Sequence, residues 1–218
     1  MFIGHFAAGM GAKAAAPGVS LGTLFLAFQF VDLLWPTLLL LGIEHVRIAP
    51  GITAVTPLDF VDYPVSHSLL AVCGWGILLG GLYRVARKSL RGALVVGLGV
   101  VSHWVLDLVM HRPDLPLWPG GSVRLGLGLW DSLAGTLVVE GVVFAVGVVL
   151  YLRVTEAKGR AGVYGFWSLV AVLALIHLGN LFGPPPPGTE AIAWAGQLQW
   201  LFVGWGYWLD RHRTATNA

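Results

Sequence analysis

Charge is what this sequence has least of. Only 11% of its 218 residues are Asp, Glu, Lys or Arg, against about 25% in an ordinary soluble domain. So few charges cannot coat one water-soluble globule of this length, let alone two, and the mean hydropathy of +0.77 agrees. Cysteine is nearly missing as well. Cys73 stands alone in an apolar run, so no intrachain disulfide can form and the residue reads as inert packing. The net charge is +2, and no basic cluster is interleaved with aromatics, which excludes a nucleic-acid partner. Neither a GxGxxG nor a Walker pattern is present, so nucleotide loops are excluded too. No internal repeat and no soluble-domain boundary is visible. The first lysine, Lys13, follows the N-terminal apolar stretch instead of preceding it, the reverse of a secretory signal, so no cleavage is expected.

What the chain has in abundance is glycine, 30 residues, and tryptophan, 10 residues. Glycine is tolerated in membrane helices and tryptophan collects at the water interfaces. A crossing helix needs about 20 mostly apolar residues. Six stretches qualify: Ser20 to Ile43, Val65 to Ala86, Gly92 to Met110, Ser132 to Leu152, Val163 to Phe182 and Glu190 to Leu209. The expected fold is therefore all-α, one transmembrane domain over residues 1–218, with about six helices and a short N-terminal half-helix. Gly74, Gly76, Gly80, Gly81, Gly97 and Gly99 read as close helix packing. The polyproline run at Gly183 to Gly188 cannot be helix.

Six crossings put both termini on one side. Lys13, Arg84, Arg87, Lys88, Arg91, Arg153, Lys158, Arg160, Arg211 and Arg213 fall on that side, and only Arg47, Arg112 and Arg124 fall opposite. This bias makes the termini cytoplasmic, in a bacterial-type inner membrane. The long loops Glu44 to Pro64 and His111 to Asp131 then face outward.

Ionisable side chains inside a membrane cost about 2.5 to 3.5 kcal/mol each on insertion scales, so each needs a partner or a purpose. Here His67, His103, Asp107, Glu140 and His177 fall in the outer half of their spans and Asp32 near the midplane. Scattered structural polars have no reason to agree in depth, whereas a single buried site requires it. The sharpest local pattern is His103, Asp107, His111. Residues four apart share a helix face, so His103 and Asp107 can hold one ion between them. His111, about 12 Å along the axis from His103, suits a second ion or a supporting position. Imidazole with carboxylate favours zinc, and a carboxylate excess would favour manganese or magnesium. The plainer alternatives are that Asp107 pairs with Arg112 and that Asp32 caps a kink at Pro36. His177, His45 and His212 read first as satisfied structural histidines. Ser66, His67 and Ser68, being adjacent, make no catalytic triad.

These residues resemble a known family, the membrane-bound metal-dependent hydrolases of the YdjM type, distant kin of zinc-dependent phospholipase C and the single-strand zinc nucleases. The matching pieces are Gly4-His5, Asp32 late in the next helix, Ser66-His67-Ser68 opening a helix, and Ser102-His103 with Asp107. Order and spacing agree over about residues 1–115 and no motif matches beyond them. The resemblance implies a helical bundle with a buried metal cluster held by His5, Asp32, His67, His103 and Asp107, acting on a phosphoester or related ester. Where the family carries a second histidine five residues before the T-H-S histidine, this chain has Asp62, an oxygen donor.

For His5 to join the others, residues 1–13 must insert as a half-helix with Met1 inward and Lys13 at the interface. His5 would then lie about 12 Å deep and Asp32, in its own span, about 18 Å deep. The leading expectation is thus a membrane-embedded metallohydrolase whose ligands are His5, Asp32, His67, His103, Asp107 and His111. Asp32, Asp62 and Glu140 are its candidate catalytic carboxylates, and a lipid or phosphoester its substrate. A small transporter or proton path using the same cluster is the main alternative, and a non-catalytic assembly protein the third. A homo-oligomer is compatible with each.

Overall fold

The computed structural model describes residues 1–216. The chain folds as a bundle of α-helices with three two-stranded antiparallel ribbons at its ends. Helices α1 (Ile3–Ala15), α2 (Leu21–Phe28) and α3 (Phe30–Leu40) are followed by a ribbon of β1 (His45–Ile48) and β2 (Leu58–Asp62). Next come α4 (Leu69–Arg87), α5 (Leu90–Met110) and the short ribbon of β3 (Leu115–Pro116) with β4 (Arg124–Leu125). Then α6 (Leu133–Arg153), β5 (Thr155–Ala157), α7 (Arg160–Phe182), α8 (Thr189–Gln197), α9 (Gln199–His212) and β6 (Arg213–Ala215) complete the order, with β5 paired to β6. Four of the helices start at a serine. The side chains of Ser20, Ser68, Ser89 and Ser132 accept from the backbone N–H of Thr23, Ala71, Gly92 and Gly135, satisfying donors that a helix leaves free.

Four helices are long and apolar enough to cross a membrane: α4, α5, α6 and α7. Helices α2 and α3 together make a fifth, bent by 56° at Gln29. Four to five such spans are therefore present among the described residues, and the expected sixth is not among them. The last apolar stretch is divided at Leu198 into α8 and α9, and neither piece is long enough to cross alone. The outward residues of the long helices are apolar: Ile77, Leu98, Val138 and Leu175, one on each of the four, lie more than half exposed, which suits lipid and not water.

The bend at Gln29 lies upstream of the proline expected to cause it. Pro36 instead frees a carbonyl: having no N–H, it cannot bond Asp32 O, and Gln199 Nε2 from α9 approaches that oxygen at 3.5 Å. The broken pairs α2–α3 and α8–α9 run antiparallel side by side. Gly22 meets Tyr207 and Gly206 at one end, and at the other Gly196 admits Pro36 where a Cβ would collide.

The expected half-helix is present. Helix α1 is sheathed by α2, α5 and α6, with Met1 and His5 deep inside. Lys13 at its far end donates to Val19 O at 2.6 Å and lies 3.5 Å from Asp210. Its contact with α6 is tight enough that a Cβ on Gly147 would sit 2.3 Å from Ala7 O. Helices α4 and α5 are equally close. A Cβ on Gly76, Gly80 or Gly97 would press the opposite backbone, whereas Gly74 and Gly81 face open space.

Candidate metal centre

Asp107 is the hub. It is 2% exposed and projects from the last turn of α5 toward the inner tip of α1. Its Oδ1 accepts from the Met1 amino group at 2.6 Å and lies 3.0 Å from His5 Nε2. Its Oδ2 lies 3.1 Å from His103 Nε2, 3.9 Å from His67 Nε2 and 4.0 Å from His111 Nε2. Asp32, from the helix after the bend, places Oδ1 3.5 Å from His67 Nε2 and 3.6 Å from His103 Nε2. The rings of His5 and His103 stack at 3.6 Å and 8°.

Three of the four histidines are oriented from behind. His103 Nδ1 donates to Phe28 O at 2.9 Å, a carbonyl left free because α2 ends there. His67 Nδ1 donates to Ser66 Oγ at 2.7 Å, and Ser66 Oγ in turn donates to Glu44 Oε2 at 2.5 Å. Glu44 is itself fixed by the backbone N–H groups of Val65 and Ser66 at 2.7 and 2.8 Å. His111 Nδ1 donates to Asp114 Oδ1 at 2.9 Å, and the same oxygen accepts from Tyr63 OH at 2.8 Å. Burial, followed by the Asp114 charge, pushes the Tyr63 phenol well above its ordinary value, so it remains a donor. Burial also lowers the His111 imidazole, which keeps its second nitrogen unprotonated. With Nδ1 occupied, each ring turns its Nε2 inward, the orientation that metal-binding histidines adopt.

The donor set fits a divalent ion. His5, His103 and Asp107 form one group of closely spaced ligand atoms, and Asp32, His67 and His103 form another. Ligand atoms held about 2.0–2.2 Å from one zinc ion lie about 3.3–3.6 Å apart at tetrahedral corners. The separations of Asp32 Oδ1 from His67 and His103 match that edge. His103 Nε2 is buried with no hydrogen-bond partner, although it faces two carboxylates. Buried polar atoms of this kind are rare without a ligand or ion to meet them.

The sequence-derived candidates therefore divide. His5, Asp32, His67, His103, Asp107 and His111 come together; His111 reaches back because the chain turns extended there as α5 ends. Asp62 does not join them. It sits on β2 with its side chain half exposed and bonded to His45 Nδ1 at 2.8 Å, so the ribbon's register turns it away from the cluster. Glu140 lies at the edge of the site, where Oε2 accepts from the N–H groups of Phe2 and Gly4 at 3.0 and 3.3 Å and caps α1. Arg112 binds Asp59 and Asp114 instead of Asp107. His177 is not a satisfied core residue: its Nε2 is buried without a partner.

A cavity of about 750 Å³ opens onto the cluster, bounded by Asp32, His67, Asp107, His111, Glu140 and His177. Its outer walls come from the β1–β2 loop, the C-terminal part of α7, the polyproline turn and α8. The C-terminal half of the chain, which carries no recognisable motif, thus supplies much of the approach. Compared with models of known protein families, with characterised proteins and with solved structures, the chain matches none.

Proposed function

We propose that this chain is a membrane-embedded, metal-dependent hydrolase cleaving a phosphoester or lipid-linked ester. One observation carries the reading: His67, His103 and His111 are each anchored through Nδ1 while their Nε2 atoms gather around Asp107 and Asp32. Asp32, His67 and His103 would hold a divalent ion, with His5, Asp107 and His111 completing the set. The imidazole-rich donors favour zinc. Bound there, such an ion supplies Lewis acidity and lowers the pKa of a water ligand toward about 7.

The chain's own groups perform the rest. Ser66 with Glu44, Phe28 O, and Asp114 with Tyr63 hold three imidazoles in their working tautomers. Trp35, Phe60 and Trp130 form an aromatic wall that keeps bulk water from this side of the cluster. Glu140 borders the cavity and is the carboxylate outside the ligand set that can accept a proton there. The bias of ten basic residues toward the Lys13 end supports a cytoplasmic position for that end and for the end of α9 in a bacterial-type membrane, with Met1 inserted at the cluster. The cluster then lies in the outer half.

A second reading, a small transporter or proton path, is favoured by the broken span α2–α3, which carries Asp32 and packs against α9 and α8, since interrupted helices recur at transport sites. Elemental analysis separates the two. A hydrolase retains stoichiometric metal that His103→Ala and Asp107→Ala both reduce. A transporter retains little and shows gradient-dependent flux. Absence of metal from the wild type, with chelators without effect, contradicts the hydrolase.

A further inference from the structure

The polyproline turn does more than end α7. Four prolines in extended polyproline form reach about 12 Å, whereas helices in direct contact lie about 8–10 Å apart. A strut of that reach can hold α8 off the end of α7, and the cavity occupies the gap. Ile176, Gly179 and Asn180 on α7, with Ala191 and Ala195 on α8, line the cavity and are also exposed. The cleft is therefore open along the seam between these helices. The surfaces flanking the seam are apolar: Leu175, Phe182, Trp194 and Leu198 are all more than half exposed. A molecule entering here comes sideways out of the hydrocarbon.

The inner end of the cleft is different in character. His177 is buried, and its Nδ1 lies 3.9 Å from Glu140 Oε2, too far for a hydrogen bond, while its Nε2 meets nothing. Trp35, one helical turn after Asp32, is also buried with its indole N–H unpartnered. Both residues border the cavity. Native structures leave few buried polar groups unsatisfied, and each one calls for an explanation. Three such residues outside the metal-ligand set line this one cavity, Gln199 through its Oε1 acceptor being the third; His177 and Trp35 sit where a molecule filling the cleft would end.

Resting on the hydrolase reading, we infer that the cleft is a binding site for a single-chain amphiphile with a phosphoryl head. The hydrocarbon tail lies along the α7–α8 seam. The head oxygens take hydrogen bonds from His177 and Trp35, next to Asp32 and Asp107. His177 and Trp35 thereby become substrate-binding residues, and Pro184 to Pro187 set the width that admits the tail.

The test uses the full chain in lipid nanodiscs as purified, with radiolabelled dodecylphosphonate as a probe that cannot be hydrolysed and empty nanodiscs as background. Saturable binding is expected. His177→Ala should weaken it at least tenfold and Trp35→Phe severalfold, with His177→Gln restoring part of the loss. Dodecanol and methylphosphonate should each compete at least a hundredfold less well than unlabelled probe. Ala195→Trp, which narrows the seam, should weaken the long-chain probe and leave methylphosphonate unaffected. Wild-type affinity in both His177→Ala and Trp35→Phe, or dodecanol competing as well as the phosphonate, overturns the site.

Metal content measured on the same samples keeps the two proposals apart. Stoichiometric metal with probe affinity unchanged in the variants removes the amphiphile site and leaves the hydrolase. Probe binding that depends on His177 in a protein without metal does the reverse.

Discussion

Ser66→Ala isolates the support behind one ligand. The hydroxyl receives His67 Nδ1–H at 2.7 Å and passes its own proton to Glu44 at 2.5 Å. Removing it leaves the imidazole without its rear anchor and free to adopt the wrong tautomer. The backbone N–H groups of Val65 and Ser66 still reach Glu44, so the carboxylate remains paired and the fold should lose only about 1 kcal/mol, the net worth of an ordinary hydrogen bond. Removing a supporting partner of a metal-bound histidine usually costs about 10–100-fold in metal affinity, equivalent to about 1.4–2.7 kcal/mol. Zinc affinity measured by competition against a chromogenic chelator should fall by that factor, with thermal unfolding in detergent almost unshifted. Ser66→Thr, which keeps the hydroxyl, should stay near wild type. Unchanged zinc affinity in Ser66→Ala would refute the claim that His67 is a ligand oriented through this relay.

Other substitutions test the scaffold and the boundaries of the site. Gly147→Ala forces a methyl into Ala7 O; the clash is with backbone and cannot be relieved by a rotamer, so stability should fall by at least about 1–3 kcal/mol, read as a lowered unfolding temperature. Gly74→Ala on α4, facing open space, should leave that temperature unchanged. Glu140→Ala strips the cap from the buried N–H groups of Phe2 and Gly4 and should destabilise by about 1–3 kcal/mol, seen as faster hydrogen exchange over α1. Asp62→Asn should leave metal content at the wild-type level, because its partner is the exposed His45; a loss of metal would return Asp62 to the site.

Much of the centre was legible because membrane insertion penalises every buried charge, so His67, His103, Asp107 and Asp32 declare themselves by being there at all. The i, i+4 spacing of His103 and Asp107 fixed their shared face, and the need to bring His5 to them fixed the insertion of α1. What stayed hidden depends on breaks. A hydropathy pattern records that residues 190–209 are apolar. It does not record that Leu198 divides them or that the chain bends at Gln29, and the bend is what frees Phe28 O for His103. Glu44 was likewise invisible, being 21 residues from Val65 in a loop with no motif. Asp62 misled because sequence spacing gives a strand residue no direction until its ribbon register is known.

The most direct measurement is zinc-edge X-ray absorption on the purified protein. The account predicts a shell of nitrogen and oxygen donors at about 2.0–2.2 Å, outer-ring scattering from at least two imidazoles, and loss of that scattering in His103→Ala. A protein free of bound metal, or a shell dominated by sulfur, would contradict it.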